Sequence, residues 1–102
     1  MLIAFSIAPS GGSAAGDSLH DGVAAAVAVV RASGLPNHTD SMFTTIEGSW
    51  DEVFTVLKQA VDAASEYGTR VSVMLKADIR PAYTDEMNGK VQRLEEALAH
   101  HA

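Results

Sequence analysis

The 102-residue chain has no cysteine, which removes disulfides, zinc–thiolate centres and redox thiols from consideration. Basic residues are also few: seven lysines and arginines stand against thirteen acidic residues, for a formal net charge of -6. Those seven are scattered from Arg31 to Arg93 and form no stripe, so nothing is placed to neutralise a phosphate backbone, and no nucleic-acid partner is expected. Aromatic residues make up only 6% of the chain. Much of its apolar content is alanine, which packs helices closely but buries little area per residue, so association with further copies of the chain would add stability. The N-terminal apolar run from Leu2 to Ala8 is too short to span a bilayer and lacks a leading positive charge. It reads as a strand, with no membrane partner and a cytoplasmic location as the expectation. The length suits one domain, residues 1–102, around a single core.

In Leu2–Ala8, Ile3, Phe5 and Ile7 alternate with Leu2, Ala4, Ser6 and Ala8, the period of a strand whose bulkier side meets a core. Pro9 and the glycines after it stop the strand. Ser18 with Asp21 resembles a capping arrangement, Val23, Val27 and Val30 follow at helical spacing, and Gly34 before Leu35-Pro36 ends the helix. From Asn37 to Glu47 the pattern is extended again, with a hairpin turn at Asp40-Ser41. Met42, Thr44 and Ile46 fall on one face, and Phe43, Thr45 and Glu47 on the other. Ser49-x-x-Glu52 is a capping box, and Val53, Leu57, Ala60 and Ala64 give the helix after it a buried stripe up to Gly68. Arg70–Arg80 alternates most clearly, Val71, Val73, Leu75, Ala77 and Ile79 forming the apolar side. A last helix begins near Asp85, with Met87, Val91, Leu94 and Leu98 as a narrow seam. The fold class is therefore α+β: a ferredoxin-like βαββαβ sandwich with an extra C-terminal helix. Both helices of the repeat cover one sheet face and the other is left open.

The stretch Pro9–Gly16 is glycine-rich but has no Gly-Lys-Ser/Thr ending, and no lysine precedes Lys58, so a Walker-type phosphate loop is rejected. Of the four histidines, His100 and His101 are adjacent on a helix and diverge by ~100°, and His20 and His38 have no ligand spacing around them, so no metal site is expected. No serine or aspartate sits in a pattern that identifies an activated nucleophile. Trp50 reads as a packing residue beside the helix cap. On the open face, Ser6, Thr45, Glu47, Ser72, Lys76 and Asp78 share a surface with Leu2, Phe43 and Met74. Polar groups converging among apolar ones suit a small-molecule pocket. A solvated or subunit-covered face with a Glu47–Lys76 ion pair fits the pattern equally well.

Phe5-Ser6-Ile7-Ala8-Pro9, Gly34-Leu35, Met42-Phe43-Thr44-Thr45-Ile46-Glu47-Gly48 and Lys76-Ala77-Asp78-Ile79-Arg80 resemble the thiamine-binding, YkoF-like family, in order and over almost the whole chain. The resemblance implies binding of thiamine or its hydroxymethylpyrimidine moiety without turnover, thiamine being the bound ligand and no cofactor being needed. It also implies a homo-oligomer, a tetramer of two sheet-paired dimers. Glu47 and Thr45 match the most distinctive segment and are first choices for the pyrimidine edge. Asn37 and Thr39 occupy the stretch before it, Ser6 and Asp78 lie on matching strands, and Phe43 offers an aromatic face for the ring. The competing readings are a dimeric α+β-barrel enzyme, monooxygenase- or isomerase-like, built around the open face, and a regulatory amino-acid-binding domain. Neither has a matching acid–base set or an attached partner domain in this sequence.

Overall fold

A computed structural model of the chain describes residues 1–11, 19–81 and 84–101. The elements run β1 (Leu2–Ser10), α1 (Leu19–Ala32), β2 (Asn37–Thr39), β3 (Thr44–Glu47), α2 (Trp50–Ala64) with a closing 3-10 turn (Ser65–Tyr67), β4 (Arg70–Asp78) and α3 (Glu86–Ala99). The sheet order is β2-β3-β1-β4, and every pairing is antiparallel. This is the ferredoxin-like arrangement with one added helix.

β1 is central because it alternates without interruption: Ile3, Phe5 and Ile7 are buried beneath the helices. β3 presents Thr44 and Ile46 to the same side, as its period-two spacing predicts, whereas Met42 lies in the turn and is exposed. That turn is held by Asp40, whose side chain accepts the amides of Met42 and Phe43 while its own amide donates to the Phe43 carbonyl. α2 begins at the capping box read from the sequence: Ser49 Oγ accepts the Glu52 amide, and Glu52 Oε1 accepts the Ser49 amide. Val53, Leu57, Ala60 and Ala64 are all buried, with Val56 beside them. Trp50 is exposed at the first turn and stacks on Phe54, ring centroids 5.2 Å apart.

Two parts of the pattern come out differently. In α1 the buried positions are Gly22, Ala26 and Val30, so the stripe lies one residue before Val23 and Val27. The reason is space: a Cβ on Gly22 would lie 2.5 Å from Pro9 Cγ, so only glycine lets this turn lie against β1. The helix ends as expected, with Gly34 at φ +80, a conformation that suits glycine. The Ser18 cap lies outside the described residues.

The larger difference is β4. It pairs with β1 along all nine residues and ends at Asp78 rather than Arg80. Its apolar side is not a core face, because α1 and α2 pack on each other and over β1 and barely reach β4. Val73 and Leu75 are consequently 39% and 40% exposed. α3 projects from the opposite face with Val91, Leu94 and Leu98 all more than half exposed. The Cα radius of gyration, 15.6 Å, exceeds the ~13 Å of a compact chain of this length.

Candidate functional site

The pairing register settles which residues share the open face. His38 stands opposite Thr45, Thr45 opposite Ala4, and Ala4 opposite Lys76. In the next row of this face Glu47, Leu2 and Asp78 are aligned, and Ser6 is opposite Met74. Thr45, Glu47, Ser6 and Asp78 therefore lie on the expected side. Asn37 and Thr39 are one residue out of phase and lie on the helix side of β2. Asn37 Nδ2 donates to the Leu35 carbonyl at 2.9 Å, and the Thr39 and Thr44 hydroxyls are 3.1 Å apart. Glu47 and Lys76 sit in different rows, and Glu47 makes its bonds elsewhere.

Those bonds define the site's second wall. Glu47, only 8% exposed, accepts the amide of Glu86 at 2.6 Å on Oε2 and the amide of Met87 at 3.2 Å on Oε1. These are among the first amides of α3, the donors that a helix leaves without an internal acceptor. Asp85, at the N-cap position, has φ 54 and makes no side-chain capping bond, so β3 supplies the cap from outside the helix. The Glu86 carboxylate is buried and accepts Arg93 on both oxygens at 3.0 Å. One turn along α3, Lys90 pairs with Asp78 at the end of β4. The Lys90 hydrogen bond is the main reason that the Asp78 carboxyl is held below its ordinary range, with Arg80 and Lys76 adding to it. Asp78 thus serves as an anchor for α3, and the charge of Arg80 adds to the field around it.

Between the open face and α3 lies a cleft of about 710 Å³, lined from the sheet by Leu2, Asn37, His38 and Thr45 and from the helix by Glu86, Met87, Asn88, Lys90, Val91 and Gln92. A smaller hollow of about 220 Å³ lies at the other end of β1. Ser6, Thr39 and Phe43 line it together with Phe5, Thr44, Leu19 and Val23. Asp40 is at its rim, its carboxyl held low by the Phe43 amide and then the Met42 amide. The seven residues chosen from sequence are thus divided. Thr45 and Asn37 line the larger cleft, Ser6, Thr39 and Phe43 the smaller, and Glu47 and Asp78 hold α3.

Sequence reasoning missed His38, Asn88 and Gln92. His38 was legible in principle, since a loop of four residues, 40–43, pairs Thr39 with Thr44 and so His38 with Thr45. Asn88 and Gln92 form an i,i+4 amide pair beside Met87 and Val91, one position off the seam at Leu94 and Leu98. No feature of the sequence says that this face turns toward the sheet. Among the described residues no three His, Cys, Asp or Glu side chains converge in a way that would hold a metal ion. No helix among them is long and apolar enough to cross a membrane.

Comparison with known proteins gives a consistent result. The family model described as thiamine-binding protein matches residues 3–95. The UPF0045 protein of Mycobacterium bovis is 46% identical over 99 residues, 96% of this chain and 94% of the relative. A hypothetical protein of Methanocaldococcus jannascii has the same fold at TM-score 0.79 and 28% identity, covering 93% of this chain and 95% of that one. A Thermotoga maritima protein, provisionally assigned to thiamine biosynthesis or salvage, shares the fold at TM-score 0.66 and 19% identity, with 90% and 99% covered.

Proposed function

The chain belongs to the thiamine-binding protein family, and on that premise we propose that it binds thiamine, or its hydroxymethylpyrimidine moiety, without converting it. The carrying observation is the 710 Å³ cleft on the open face with Thr45 in its lining. Its size lies within the roughly 300–1,000 Å³ of small-molecule sites. Its chemistry suits an aminopyrimidine. Leu2, Met87 and Val91 offer apolar surface to the flat ring, and the Thr45 hydroxyl can donate to a ring nitrogen. The side-chain amide nitrogen of Asn88 is engaged with Asp85, which leaves its oxygen to accept from the ring's amino group. The Thermotoga protein's provisional role is in keeping with this ligand.

The same reading includes self-association, up to a homotetramer in the cytoplasm. The support is the outer edge strand β4, which exposes Val73 and Leu75 on one face and Met74 on the other, together with the bare Leu94 and Leu98 of α3. The α+β-barrel enzyme has less support, since α3 takes up part of the face that such a barrel would need to enclose. Calorimetric titration with thiamine, hydroxymethylpyrimidine and thiamine diphosphate in parallel tests the proposal. Saturable binding of thiamine or the pyrimidine, with ligand recovered unchanged by mass spectrometry, is expected. Binding of none of the three, or a new product, would overturn it.

A further inference from the structure

The cleft has one firm wall and one that hangs from polar bonds. The sheet wall belongs to the core. The α3 wall touches the body mainly at β3, and beyond Gly89 every residue of α3 is exposed. What keeps the helix against the sheet is two tethers, Glu47 on the amides of Glu86 and Met87 and Lys90 on Asp78, while the Arg93–Glu86 pair within α3 neutralises the buried carboxylate beside Glu47. Glu47 carries the most. The N-cap residue Asp85 makes no capping bond of its own, so removing the Glu47 carboxylate would leave these two amides without their acceptor.

We infer that Glu47 is a positioning residue that docks α3 as the movable wall of the ligand cleft, so that docking of α3 and occupancy of the cleft stabilise one another. This rests on the thiamine reading above. A ligand lying between Thr45 and Asn88 contacts both walls only when α3 is docked. It therefore binds the docked state preferentially, and its apparent affinity scales with the docked fraction. Glu47 acts on affinity through the helix rather than by touching the pyrimidine.

The experiment is amide hydrogen exchange with and without thiamine on the full chain, alongside calorimetry, for wild type, Glu47→Gln and Arg93→Ala. Glu47→Gln keeps one acceptor oxygen but loses the second and the charge. Losing one helix cap changes a two-state population roughly five-fold, and a weakening of thiamine binding by about that factor is expected. Exchange at Glu86, Met87 and along α3 should quicken while the β1 amides stay as protected as before, and saturating thiamine should slow α3 again. Arg93→Ala, outside the cleft lining, should show the same signature; it carries the test if Glu47→Gln does not fold. Weakened binding of Glu47→Gln with α3 exchange unaltered would mean direct contact and overturn the inference, as would thiamine binding that leaves α3 exchange untouched. Failure of the wild type to bind thiamine removes the ligand reading and the coupling. In that case, α3 exchange in ligand-free Glu47→Gln still decides whether Glu47 is the anchor.

Discussion

Two halves of this molecule are stabilised by different physics. In the body, β1, β3, α1 and α2 enclose Ile3, Ile46, Val30 and Val53, none of which retains accessible surface. At the periphery, β4 and α3 leave Val73, Leu75, Leu94 and Leu98 open to solvent. There, attachment depends on ladder hydrogen bonds for β4 and on carboxylates and cations for α3. Apolar burial is non-directional and tolerates no vacancy; polar tethers are directional and adjustable. The body can therefore hold Thr45 in a fixed place, and the periphery can move or associate.

The sharpest way to break the comparison is to make equivalent cuts in each half. Ile46→Ala should lower unfolding free energy by roughly 2–5 kcal/mol, the range for emptying a fully buried aliphatic site. This would be measured by urea titration, and a loss under 1 kcal/mol would mean that the core is not where stability resides. Leu94→Asp on the bare seam should leave the stability of the isolated chain within about 0.5 kcal/mol, as for an ordinary surface change. It should nonetheless weaken assembly, since association would bury the new charge. Light scattering distinguishes the outcomes. A wild-type protein that is monomeric at micromolar concentration would remove the assembly from the proposal.

A smaller effect tests whether the two helix starts are built on different principles. α2 is capped by its own neighbours, Ser49 and Glu52, and α3 by Glu47 from a distant strand. Ser49→Ala should cost about 1 kcal/mol of global stability by thermal or urea unfolding, because α2 is part of the core and melts with it. The equivalent loss at α3 should appear as local exchange, with little change in the global transition. A global loss of the same size from both would erase the distinction.

The same contrast explains how much could be read from the sequence. Where one face is buried, period and burial coincide, so β1, the β3 alternation and the α2 stripe with its capping box were legible from residue spacing. β4 has the best alternation in the chain and yet the least buried strand. Periodicity records which residues share a side; it does not record whether anything covers that side. The α1 stripe shifted because Gly22, invisible to a hydrophobicity count, lies where a Cβ would clash with Pro9 of β1. Glu47 was recognisable as important and sits where the strand pattern places it. Its partners, however, are backbone amides 39 and 40 residues away, and no local signal announces a cap supplied across that distance. The predicted site residues separated into two hollows and a tether for the same reason: strand alternation gives the face, but β2 register and the α3 docking angle decide the neighbours.

The smallest expected effect is also the most specific to the periphery. Asp78 is a partly exposed carboxylate whose folded pKa is depressed, first by its hydrogen bond with Lys90 and then by the charges of Lys90, Arg80 and Lys76. A depressed acid contributes stability above its unfolded pKa, and that contribution is lost as pH falls through the folded value, below the usual aspartate range. Protonation of the Asp78 carboxylate removes the negative partner of Lys90 and so releases this tether. Exposure and salt keep the effect small. Comparing wild type with Asp78→Asn at each pH cancels the intrinsic pH dependence of exchange. The wild type should show slower α3 exchange at neutral pH, by a modest factor, and the two should converge as the carboxyl protonates. The difference should shrink at high ionic strength, while exchange in β1 stays the same in both proteins. A gap that does not close as pH falls below the usual aspartate range, or none at pH 7, would mean that α3 is held without Asp78, leaving Glu47 to carry the docking.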